Sequence, residues 1–149
     1  MDIFSDAVGA LTSQLSGLWP QPKEKPQLVD GKLRACPGTP NCVSSESTNP
    51  LFKIAPLAFS GSPEQAWADL KTVIGEQGGI VHDEGKKYLW STFTVPVFGF
   101  IDDVEFRLSA SEGVIHVRSA SRLGISDLGV NRGRVEQLRT ALQNVRHHR

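Results

Sequence analysis

Between residues 118 and 134 the chain reads RSASRLGISDLGVNRGR, a stretch with four arginines, Asp127, Asn131, three serines and three glycines. A guanidinium offers a planar fork of donors that fits a carboxylate or a phosphate, and glycine-loosened backbone can add N–H donors beside it. Asp127 and Asn131 can bond their own backbone and fix a turn, and Gly124, Gly129 and Gly133 permit the positive φ such turns use. Upstream, Asp102, Asp103 and Glu105 gather three carboxylates within four residues. Close carboxylates can split their pKa values for acid–base work or hold a hard cation, but arginines on a neighbouring strand neutralise them more simply. These residue types point to an anion- or partner-binding cluster with internal ion pairs: Asp102, Asp103, Glu105, Arg118, Ser119, Ser121, Arg122, Asp127, Asn131 and Arg132. No catalytic residue, metal ligand or cofactor is assigned. His82 and His116 stand alone on predicted strands without ligand spacing and are expected at the surface, and His147 and His148 lie in a basic tail. The chain has no nucleophile elbow, phosphate loop, metal-helix motif or dinucleotide fingerprint.

Cys36 and Cys42 form a second constellation, CPGTPNC. Their gap is longer than that of redox dithiols or zinc knuckles, and no other cysteines exist to complete a four-thiolate site. A disulfide in an oxidising compartment would stabilise by about 2 to 2.5 kcal/mol on loop entropy. Free thiols in a reducing compartment, or metal or redox chemistry, stand beside it as alternatives.

The elements that position these groups follow from hydrophobic period. Ser62 caps a predicted helix, Pro63 suits its first turn, and Gln65 stands where a capping-box partner would. Ala66, Trp67, Leu70, Val73 and Ile74 make its buried face, and Gly78 and Gly79 stop it. The period then becomes two, predicting strands at 80–84, 86–95, 101–110 and 114–120, with 96–99 a bend. An earlier short strand is read at 53–60, with Pro56 placing it at an edge or a bulge. The segment 33–50 reads as loop. A closing helix over 133–145 turns Val135, Leu138, Leu142 and Val145 inward.

If Glu112 and Gly113 form a two-residue turn, Leu108 faces Val117, Phe106 faces Ser119 and Val104 faces Ser121. The opposite, wet face then sets Arg107 against Arg118 and Asp103 against Arg122. The predicted fold is α+β: a single antiparallel sheet of four to five strands with two helices on one face, plus an N-terminal amphipathic helix.

Residues 1–19 supply that helix, with Ile3, Phe4, Ala7, Val8, Leu11, Leu15, Leu18 and Trp19 on one stripe and no Lys or Arg opposite. Residues 20–32, with Pro20, Pro22 and Pro26, read as an extended linker, and 33–149 as one α+β domain. Sixteen basic residues balance sixteen acidic ones, which argues against a general nucleic-acid binder. No apolar run is long enough for a transmembrane span, and no signal peptide is recognised at the start. The chain is therefore expected in the cytoplasm or peripheral to a membrane, or in the periplasm or thylakoid lumen if it is a processed form.

The motifs CPGTPNCVSS, FIDDVEFR and VRSASRLGISDLGVNRGRVEQLR, in this order, resemble the uncharacterised bacterial and plastid proteins grouped as domain of unknown function 1499. The resemblance runs from about Leu33 to Leu142. It implies a family signature at Cys36, Pro37, Pro40, Asn41, Cys42, Ser44 and Ser45, at the three carboxylates, and across Arg118, Ser119, Ser121, Arg122, Gly124, Asp127, Gly129, Asn131 and Arg132. It implies no established reaction. It does imply membrane anchors, export signals and photosynthetic lineages, from which this chain departs by opening on the amphipathic stripe.

Two functional expectations follow. The first is a non-catalytic binding or assembly module, associated with a membrane or photosynthetic complex. Residues 3–19 would dock a protein partner, and the arginine loop would take an acidic surface or a small anionic ligand. The second is a small enzyme or ligand-processing protein acting on an anionic substrate through Asp102, Asp103, Arg118 and Arg122.

Overall fold

The change from helical to alternating period after Gly79 is reproduced in the backbone. The computed structural model describes residues 7–8, 25–38, 41–95, 99–122 and 129–148. Among the described residues the elements are β1 (Cys42–Ser44), β2 (Leu57–Ala58), α1 (Pro63–Glu76), β3 (Ile80–Glu84), β4 (Tyr88–Thr94), β5 (Ile101–Ser109), β6 (Val114–Ser121) and α2 (Val130–His147). They build one antiparallel sheet of six strands, ordered β1-β6-β5-β4-β3, with β2 on β6 beside the β1 pairing. Among the described residues no helix is long and apolar enough to cross a membrane.

Alternation along the strands sends Leu89, Val104, Phe106, Ile115 and Val117 to one face. There they meet Trp67, Leu70, Val73 and Ile74 of α1 and Val135 and Leu138 of α2 in a single core. Burying each large apolar side chain there contributes about 1.5 to 3 kcal/mol relative to leaving it in water. The N-terminus of α1 is fixed by Ser62, whose Oγ accepts the Gln65 N–H at 3.2 Å. The reciprocal half of the capping box is missing: the Gln65 side chain donates to Asp69 instead.

Four expectations need correction. The sheet has six strands among the described residues, not four to five, because β1 lies inside the segment read as loop. The strand expected over 53–60 is reduced to Leu57–Ala58, directly after Pro56, which has no N–H to give a ladder. The closing helix starts at Val130, earlier than expected, from Gly129 in the left-handed region at φ 84°. The turn between β5 and β6 is longer than two residues: Gly113, at φ 69°, donates its N–H to Ala110 O. That lengthening slides the pairing, so Glu105 rather than Arg107 stands opposite Arg118, and Asp103 opposes Ala120. An even slip leaves every side chain on its predicted face.

Of the amphipathic stripe only residues 7 and 8 are described, so the helix expected over 1–19 lies outside the described residues. So do residues 96–98 of the bend expected over 96–99 and the segment 123–128 of the arginine loop.

Candidate functional site

The face of the sheet turned away from the helices was expected to be wet, and it is closed. The segment 25–38 runs across it, with Pro26 and Leu33 buried and Lys25 paired to Asp83 at 3.0 Å. Beneath it Glu105 is 0% exposed. Its Oε2 accepts Arg34 Nη2 at 2.8 Å and Arg118 Nη1 at 3.3 Å, and its Oε1 accepts the Tyr88 hydroxyl at 2.7 Å. Arg118 also donates to Ala35 O at 3.3 Å. The strong alternation of β5 and β6 places Glu105 and Arg118 here, and the residues of the covering segment complete the set.

Electrostatics match this arrangement. Burial acts against the charge of Arg34, but the hydrogen bond and charge of Glu105 outweigh it and raise the guanidinium's pKa. Arg118 is buried more deeply, so desolvation dominates and its pKa falls, although Glu105 offsets part of that loss. Tyr88 is pushed far above the ordinary phenol range, first by burial and then by the adjacent Glu105 charge.

One row along the same face, Asp103 accepts Trp90 Nε1 at 2.9 Å and Arg122 through Nε at 3.1 Å and Nη2 at 3.2 Å. The Asp103–Arg122 contact foreseen from the hairpin is thus made, diagonally across the ladder rather than directly opposite. Two-point contact of this kind fixes orientation as well as charge.

Asp102, Ser119, Ser121 and Asn131 lie on the helix side instead. Asp102 accepts Ser121 Oγ at 2.6 Å and is bonded to Arg134, which also sits 5.1 Å from the centre of the Phe93 ring. Asn131 accepts the Ser119 hydroxyl and donates to Asn41 O at 3.0 Å. Asn41 in turn donates to Ser121 O at 3.1 Å. Eight of the ten residues read together from the sequence therefore divide between two faces, four to each.

Residues 32–142 match the family described as protein of unknown function (DUF1499). The chain belongs to the DUF1499 family. No curated protein matches it.

Within this DUF1499 domain the sequence motifs have separate structural tasks. Cys36 and Cys42 are joined as a disulfide with Cα atoms 5.7 Å apart. Arg132 donates to the backbone carbonyls of Lys53 at 3.1 Å and Leu51 at 3.4 Å rather than to a carboxylate. It borders a cavity of about 420 Å³ that Cys42, Val43, Leu51, Phe52 and Gly129 also line. Asp127 falls outside the described residues.

His116 corrects the expectation of a surface histidine, being 8% exposed. Its Nδ1 meets Ser45 Oγ at 2.9 Å and its Nε2 meets Glu112 Oε2 at 3.1 Å. Serine, histidine and carboxylate in this order resemble a hydrolytic relay. Ser45, however, is buried and its oxygen already accepts the Val117 N–H at 2.9 Å, which makes it a fastener between the β1 loop and β6. His82 is exposed, as expected, with its ring bonded to Thr92 at 2.6 Å and tilted against Trp90 at 4.7 Å between ring centres. Sequence reasoning missed Arg34, Tyr88, Trp90, Ser45 and Asn41 as members of these networks. Only Ser45 and Asn41 carried a signal, through their place beside the cysteine loop.

Proposed function

We propose that this DUF1499 protein is a non-catalytic binding or assembly module in which the charge networks form the rigid support and the arginine loop and N-terminal segment meet the partner. What carries this reading is that Asp102, Asp103 and Glu105 each already accept two or more intramolecular donors, at least one of them an arginine. A general base or a metal ligand needs a lone pair directed at the reacting group, and these lone pairs are directed at guanidinium, indole, phenol and hydroxyl groups. Arg122 at one end of segment 123–128, and Asn131 and Arg134 beyond the other, are tied into the same networks, so the loop springs from fixed ends.

Arg132, held on backbone carbonyls beside exposed Leu51 and Val130, is the group of the cluster best suited to an acidic partner surface or a small anion. The test is co-purification from the native host with the full chain, a chain lacking residues 1–22, and Arg132→Glu. Both changes should abolish capture of the same stoichiometric partner while the melting temperature is kept. Capture unaltered by either change would contradict the reading, as would turnover of an anionic substrate that Asp103→Asn abolishes without lowering the melting temperature.

A further inference from the structure

We propose that the Cys36–Cys42 disulfide is a redox latch, holding the segment 25–38 down as a strap over the outer face of the sheet. The proposal stands independently of the binding function above.

The strap is fastened in an unusual way. Its backbone–backbone hydrogen bonds, among the described residues, are those between Val29 and Lys32, which are internal to it. No ladder joins it to the sheet. It is held instead by the Lys25–Asp83 pair, by buried Pro26 and Leu33, and by three consecutive residues at its end. Arg34 binds Glu105, Ala35 O receives Arg118, and Cys36 is bonded to Cys42 at the start of β1. Cys42 is 2% exposed and paired with Ala120 of β6, so one end of the disulfide is anchored in the sheet while the other belongs to the strap.

A strap without ladder bonds opens by local fluctuation at low cost, and a covalent tie beside its charged anchors is the strongest brake on that opening. A dithiol reductant attacks one sulfur, breaks the S–S bond and departs as its own cyclic disulfide. Two electrons and two protons are thereby transferred to leave two thiols on the protein. Arg34 and Ala35 then hold their places without the neighbouring tether. In the open state Glu105 keeps Tyr88 and Arg118 but loses the Arg34 fork, and the face it occupies becomes accessible.

Limited trypsin digestion of the full chain tests this, comparing the oxidised form, the form treated with dithiothreitol, and the Cys36→Ser/Cys42→Ser double variant. Cleavage after Lys32 and Arg34 should accelerate by roughly ten- to fiftyfold on reduction and in the double variant, the upper value being the loop-entropy limit for so short a ring. Cleavage after Arg107 and Arg118 in the sheet should stay slow. Equal rates after Lys32 and Arg34 in both redox states of the natural chain would overturn the proposal. So would acceleration at all four sites together, which marks global unfolding, or the absence of any mass shift on alkylation after dithiothreitol treatment, which shows that the bond resists reduction.

Discussion

At Glu105 a single carboxylate with no solvent contact is shared by two guanidinium groups and a phenol. Such a group is tolerable only because each oxygen is answered; removing one partner of a buried set of this kind typically costs about 3 to 5 kcal/mol. Tyr88 gives the most accessible view of it, since it is the sole tyrosine of the chain. Burial and the Glu105 charge raise its pKa in the folded state, so the neutral phenol is favoured there. The unfolded chain ionises first, near the ordinary value of about 10, and stability is therefore full below that pH and declines above it. An alkaline titration should show no tyrosinate absorbance near pH 10 until the protein unfolds, when the signal appears in one cooperative step. A gradual rise with the fold intact would mean that Tyr88 is solvated. Tyr88→Phe leaves Glu105 Oε1 without its donor and should destabilise by about 1 to 3 kcal/mol in denaturant unfolding.

At the scale of elements, α1 and the faces of β4, β5 and β6 were legible in the sequence. Ser62, Pro63 and the spacing of Ala66, Trp67, Leu70, Val73 and Ile74 act locally, and local signals need no knowledge of the fold. The hairpin register was not, because Gly113 supports a positive φ equally well at the centre of a two-residue turn or at the end of a longer one. β1 was missed because three residues between a cysteine loop and a turn carry too little alternation to register. The Gly78–Gly79 pair was read only as a helix stop, and Gly79 has a second task. A Cβ there would lie 2.5 Å from Phe93 Cζ and 2.7 Å from Ile74 Cγ2, two members of the core. Gly79→Ala should therefore cost about 1 to 3 kcal/mol through overpacking. Gly133→Ala is the control: nothing lies within 4 Å of that position in α2, and the change should stabilise by about 0.4 to 1 kcal/mol. Thermal melts of the two variants shifting in the same direction would contradict the account.

At the scale of the whole domain, what organises the described residues is closure of both faces of one sheet, by α1 and α2 on one side and by the strap on the other. The helix side could be foreseen because apolar alternation announces burial. Closure of the polar side could not, since Pro26 and Lys32 read as extended linker and Arg34 as loop without naming the surface they cross, and Glu105 and Arg118 look like solvent-facing residues until that chain lies over them. The candidate site was legible as a set of residue types and illegible as an arrangement: Asp102, Ser119, Ser121 and Asn131 serve the helix side, while Asp103, Glu105, Arg118 and Arg122 serve the strap side. Both halves lead to one claim, that carboxylates of β5 and arginines of and beyond β6 neutralise one another inside the fold. The most direct measurement is a double-mutant cycle on Asp103→Ala and Arg122→Ala, whose side chains are 9% and 8% exposed, followed by denaturant unfolding. The account predicts a coupling of about 1 to 3 kcal/mol between the two sites, whereas single-variant losses that simply add to within about 0.5 kcal/mol would contradict it.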